Sequence, residues 1–487
     1  MDSTKPNIFE SIQGLKDDFT QLLLLALKEG LLVVSEAKNS GKHIGCYHDF
    51  PSLSFNKNGL PRLSSTFSNE PIKYRNYLTT YSEIPRTNKH KLHSFNELVA
   101  FVKSNEVLCK RFTPTTKKLK AEKKRQLMIL YIHLIAEDCI ERYIYQFNEF
   151  KYDEEKALVS VAPTISYIFN KNLNIDISVP ILFSNFQCDS YQLADGIYIE
   201  RIPELQHKAR YKIQSNNTST HQDVINSATH ALVLKEYFVP NSEQMYGSNV
   251  LSQARAYPID LINQFFGALR ICSSIDTGYT QIYAVAKGWA AHCTTDLPYL
   301  EGALVKSYPS WFENYYWDTE EVPVITDEEL EKTKNIFNQI LSTKENSIDL
   351  ALKRLNRCYI RDDEEDAVLD ATIALEALLL DGNQEMTHKL AMRVGALSQL
   401  DDKIHKNPFQ AFQDVKSIYA HRSAIVHGSK TPDKKRIVKI TEEKSTTTHI
   451  LAIDYLRMIL RVLLKNKQYR KPKQIDETLL LGSTNNR

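Results

Sequence analysis

The spacing of apolar positions changes several times along the chain, and the changes mark out its organisation. Residues 16–34 read as a helix or buried apolar segment, after which the first 110 residues become irregular, punctuated by Pro51, Asn56, Pro61, Pro71 and Pro85. Over residues 117–147, Leu127, Leu130, Leu134, Cys139 and Ile144 recur at helical spacing behind a basic entry, which predicts one long amphipathic helix. Residues 159–161, 175–183 and 196–199 are short β-branched runs separated by Asn and Pro, so strands are expected there. Residues 223–239 and 257–273 return to a helical pattern. From Thr326 onward the pattern predicts helices over 327–343, 347–359, 364–380, 385–400, 408–428 and 445–466, joined by short links as in an antiparallel bundle. Thr326 followed by three carboxylates is an N-cap with a favourable first turn, and Gly428 stands where a helix C-cap is expected.

The expected architecture is multidomain: a mixed α/β or α+β N-terminal and middle region followed by an all-α bundle. The boundaries read as 1–150, ending in the long helix, 151–325 for a sensor-like middle domain, 326–470 for the bundle and 471–487 for a basic, polar tail. A length of 487 residues suits two or three domains, and 42% hydrophobic with 25% charged residues is ordinary for a globular protein.

The net charge of +2 conceals an uneven distribution. Residues 362–385 hold nine acidic residues and no Lys or Arg, whereas residues 401–487 hold eighteen Lys and Arg against nine Asp and Glu. The basic stretch either suits a polyanion or compensates the acidic one. Seven cysteines without a C-x2-C pair indicate neither a zinc ribbon nor a disulfide framework, and no secretory leader is read, so a reducing cytoplasm is expected. No stretch reads as membrane-spanning. Gly-rich phosphate loops and repeats are lacking, which argues against a nucleotide-driven motor. Residues 308–317 hold six aromatics, suiting a hydrophobic seam between the middle and terminal domains or a base-stacking platform. The basic run over residues 117–125 is an exposed helix start or a second nucleic-acid patch.

The most informative chemistry lies in Arg422-Ser423-Ala424-Ile425-Val426-His427. Arg422 carries a permanent, forked cation suited to a phosphate, and His427 can exchange a proton near neutrality. RNA supplies its own nucleophile, so a cation, an acid and a base are enough to cleave it without a metal. Five residues of ideal helix rise about 7.5 Å and turn roughly 140°, which separates Arg422 from His427 unless the helix loosens at Gly428. Ser423, one turn before His427, can fix its ring. One imidazole cannot be acid and base at once, and a second copy of the chain would supply the missing group.

Three segments in order, DATIALEALLLDG at 370–382, HKLAMRVGAL at 388–397 and KSIYAHRSAIVHG at 416–428, resemble the Apea-like branch of the HEPN superfamily. The resemblance covers about residues 327–468. It implies a helical bundle paired with a second copy, in many members a metal-independent endoribonuclease of antiviral defence or toxin systems, here an abortive-infection effector released by a phage-derived or nucleotide trigger. Catalysis would rest on Arg422 and His427. Glu376 matches an acidic family position and would hold Arg422 by an ion pair or serve structurally. His421 is a supporting candidate beside substrate, and Lys416, Lys430, Lys434, Lys435 and Arg436 are candidate phosphate contacts. No cofactor or metal is expected. The alternative is a non-catalytic RNA- or nucleotide-binding sensor or scaffold.

Overall fold

The computed structural model describes residues 7–41, 50–66, 72–78, 92–213, 220–245, 250–293, 295, 297–314, 321–382, 384–402, 407–428, 432–439 and 445–482. The N-terminal unit is mainly helical, built from α1 (Ile8–Ile12), α2 (Lys16–Asn39), a hairpin of β1 (Phe50–Phe55) and β2 (Pro61–Thr66), α3 (His93–Ser104), α4 (Glu106–Phe112), α5 (Ala121–Phe147) and α6 (Glu154–Phe169). Phe19, Leu23 and Leu27 of α2 meet Leu98 and Val102 of α3, Ile132, Ile140 and Ile144 of α5, and Val161, Ile165 and Phe169 of α6 in one core. The expected long helix is α5. The region read as irregular contains α3 and α4, and the run at 159–161 is helix rather than strand, because α6 is capped by Asp153 and its β-branched residues fill the helical core. Since α6 shares that core, the structural break falls after Phe169 rather than at 150.

The middle unit is an antiparallel α+β assembly. It comprises β3 (Asn172–Pro180), β4 (Asn185–Phe186), β5 (Ser190–Ala194), β6 (Ile197–Arg201), α7 (Glu204–Arg210), α8 (Gln222–Asn226), β7 (His230–Pro240), α9 (Ile259–Cys272), β8 (Tyr279–Ala286), β9 (Leu300–Ser307) and β10 (Val324–Ile325). Six strands form one sheet in the order β5-β6-β7-β3-β8-β9. The helical pattern at 223–239 is thus corrected to a one-turn helix and a strand: the first five residues of β7 are all buried, because α9 packs on one face and the β1–β2 hairpin with α8 covers the other. A run apolar on both faces has no strand alternation to show. Tyr308 and Phe312 pack with Phe183 and Val233, so this part of the aromatic stretch is a seam within the middle unit. Residues 315–317 lie outside the described residues.

Beyond the capping box at Thr326 and Glu329 come α10 (Asp327–Leu341), α11 (Asn346–Ile360), α12 (Glu364–Leu379), α13 (Met386–Ser398), α14 (Pro408–Val426) and α15 (Thr448–Lys465). All six expected helices are present. A small hairpin, β11 (Ile437–Lys439) with β12 (Ser445–Thr447), interrupts the helices between α14 and α15. The α9 helix packs on α10, α11 and α15, making a continuous apolar core with the sheet. Arg457 and Arg461 of α15 donate to the last-turn carbonyls of Arg270 and Ile271 at 2.7 and 3.0 Å, capping α9. Part of the basic surplus therefore acts inside the fold.

Residues 472–480 of the expected tail are also packed, as α16 (Pro472–Gln474) and a following π-turn, with Ile475 fully buried. Arg393 is buried and donates to Asp476 at 2.8 and 2.6 Å and to the Leu379 carbonyl at 2.6 Å.

The α13–α14 crossing depends on Gly395, where a Cβ would lie 2.9 Å from the backbone oxygen of Pro408. Gly395→Ala should therefore destabilise the protein by about 1–3 kcal/mol from overpacking, offset by up to about 1 kcal/mol of helix propensity. Gly382→Ala, with open space around the added methyl, should change little. Thermal unfolding of the two variants checks the contrast. Among the described residues no helix is long and apolar enough to cross a membrane.

Candidate active site

Asn407 caps α14 by accepting the Phe409 amide, and Pro408 occupies the first turn, so the helix start is fixed locally. The helix ends at Val426. His427 is its C-cap, its amide donating to the Ser423 carbonyl at 3.1 Å, and Gly428 follows at φ +60°, where a glycine avoids the strain of a side chain. The helix thus ends two residues before the expected 428, and Gly428 stands one residue past the C-cap.

Arg422 points toward α12. Its guanidinium lies 3.8 Å from Glu376 Oε1 and over the Tyr419 ring at 5.7 Å, with 28% of the side chain exposed. Tyr419 donates its hydroxyl to the same carboxylate. Burial, reinforced by Glu376, holds that hydroxyl well above the ordinary tyrosine range, so it remains a neutral donor. The ion pair is long, and Arg422 Nε is buried without a hydrogen-bond partner among the described residues. The cation thus has a fixed direction and unused donor capacity. The sequence signal for Tyr419 is its place one turn before Arg422, which puts the two on one helical face.

His427 lies apart from this group, on the outer surface. Exposed positions along α14 are Phe409, Gln413, Lys416, Ala420, Ser423 and Val426, three or four residues apart and so on one stripe, which the exposed C-cap His427 continues. Among the described residues no hydrogen bond joins His427 to Arg422, and Ser423 meets His427 through its backbone carbonyl rather than by fixing the ring. His421 is corrected from a substrate-side candidate to a buried residue, 2% exposed, hydrogen-bonded with Thr448 Oγ1 at 2.5 Å. The 100° step from Arg422 turns it into the α14–α15 contact.

Lys416 is exposed and lies 5.3 Å from the Phe412 ring centre. Lys434 and Lys435 are exposed on a turn that packs against α14, while Lys430 lies outside the described residues. Arg436 is engaged by both Glu364 oxygens at 2.7 Å, which makes it a partner of the acidic stretch rather than a free phosphate contact. The basic run at 117–125 is largely exposed at the start of α5. Among the described residues no group of three or more His, Cys, Asp or Glu is arranged to hold a metal ion, and six free cysteines are spread through the fold. Compared with protein-family models, curated proteins and solved structures, the chain matches none.

Proposed function

We propose that the chain is an endoribonuclease that uses Arg422 and His427 and needs no metal. The observation that carries this reading is a partly exposed arginine, aimed by Glu376 and Tyr419 and with an unpaired buried Nε, five residues before an exposed histidine at the helix end. In the reaction the 2′-oxygen bonds to phosphorus as a base removes its proton. The bond from phosphorus to the 5′-oxygen breaks as an acid protonates the leaving group. Arg422 neutralises charge that accumulates on the non-bridging oxygens, and His427 transfers one of the protons.

The second proton-transfer group comes from a second copy. The outer stripe of α14 carries His427, and Phe409 and Val426 expose apolar surface at 67% and 51% on the same helix. A two-fold partner seated along this stripe brings a second Arg/His set to a shared groove, lined by Lys416 and flanked by Lys434 and Lys435. The resemblance to HEPN effectors supports the same pairing, a cytoplasmic defence or growth-arrest role and control by a trigger acting on residues 1–325.

Purified protein, alone or after trigger activation in cells, should cut single-stranded RNA in excess EDTA. Saturable RNA binding without cleavage, with or without divalent cations, would instead favour the sensor or scaffold reading.

A further inference from the structure

Where the N-terminal helices meet the sheet, a cavity of about 160 Å³ opens between α5, α6, the end of β7, β9 and the β8–β9 connection. Its volume is of the order that accepts a benzene-sized guest. Aromatic rings form a continuous belt around it. Tyr131 meets His292 edge-on at 6.4 Å, His292 meets Tyr299 at 6.3 Å, Tyr299 meets Trp289 at 5.3 Å, and Trp289 stacks with Tyr167 at 5.6 Å. Four of these rings line the space, Tyr299 standing behind them. The Trp289 ring N–H donates to the Asn174 carbonyl at 2.7 Å, so its polar edge is satisfied and the ring is fixed.

The same cavity is lined by Glu301, and among the described residues none that line it is Lys or Arg. Tyr299 donates its hydroxyl to Glu301 Oε1, and among the described residues the charged group that acts on the carboxyl is the titratable His292. Arg111 directs its terminal nitrogens to the carbonyls of Ser242 and Tyr167 at 2.5 and 3.0 Å and lays its plane against Phe9. Aromatic faces attract cations through their quadrupoles, and a desolvated carboxylate gains most from a positive charge that enters its site.

We propose that this cavity binds a small organic ammonium ion, with Tyr131, Tyr167 and Trp289 around its alkyl groups and the Glu301 carboxylate against its charge. The site is independent of the ribonuclease assignment. Because its walls come from both the N-terminal helices and the sheet, an occupant would touch both units.

A pH signature follows. Burial raises the Glu301 carboxyl to about 7, opposed in small part by His292. The titratable groups facing it are Tyr299 on its own strand, Tyr167 from α6, Tyr257 from the turn before α9 and His292 from the β8–β9 connection. A bound cation favours the carboxylate, so binding releases protons and tightens as pH rises through about 7.

Calorimetric titration of the full chain with choline chloride, at fixed ionic strength, tests this on either side of that value. Saturable binding should be about tenfold tighter at about pH 8 than at about pH 6. The neutral isostere 3,3-dimethylbutan-1-ol should bind at least about tenfold more weakly than choline. Glu301→Gln, which removes the charge and keeps the shape, should lose both the affinity and the pH dependence; the wild-type pH series decides the matter if that variant folds poorly. Equal binding of choline and its isostere, pH-independent choline binding, no saturable choline binding, or tight adenosine binding unchanged by Glu301→Gln would each overturn the proposal.

Discussion

His427→Ala and Arg422→Ala should each reduce RNA cleavage by about two to four orders of magnitude, the usual loss for a proton-transfer or charge-stabilising group. Growth inhibition in cells that express the chain should disappear with it. The fold should survive both changes: His427 is an exposed C-cap, and Arg422 is held by one long ion pair and one ring contact. Circular dichroism and thermal unfolding close to wild type would show that the loss is chemical. The two inactive variants co-expressed should regain part of the activity only if Arg422 and His427 act from opposite copies, since a mixed dimer keeps one of each in the shared groove. Wild-type toxicity in both single variants would remove the site assignment.

The largest stability effect is expected at Arg393. Arg393→Ala leaves Asp476 and the Leu379 carbonyl without their donor, and should cost about 3 kcal/mol, near the low end for breaking a buried pair because Asp476 keeps contact with water. For a unit of this size that lowers the unfolding midpoint by roughly 6–12 °C. Truncation after Lys471 removes Asp476 together with the buried Ile475 and should be at least as damaging. Combining it with Arg393→Ala should add little, since the pair is already broken. A truncated protein with an unchanged midpoint would show that residues 472–482 are a dispensable tail.

These cases also show what local sequence can carry. The six terminal helices were legible because each has its own apolar period and short links, and several begin at capping residues, Thr326, Asp363 and Asn407, whose bonds lie within three residues. By contrast, β7 and α6 were misread. Their classes are set by what covers them, and a run of apolar or β-branched residues carries no record of its neighbours in space. The same division holds at the site. The motif order brought Glu376 and Arg422 into one hypothesis, and the fold places them together. The burial of His421 depends on α15, which begins 27 positions later, and was not visible locally. Nor was the aromatic cavity, whose Tyr131, Tyr167, Trp289 and Glu301 come from separate segments without a shared period.

The central claim is a cleavage chemistry, and the chemistry is written on the product ends. Single-stranded RNA treated with the active protein in excess EDTA should yield fragments with 2′,3′-cyclic phosphate and 5′-hydroxyl termini, readable by end-specific ligation and sequencing, and the Arg422→Ala, His427→Ala double variant should yield none. Cleavage that appears only with added divalent metal and leaves 5′-phosphates, or that persists in the double variant, would contradict the account.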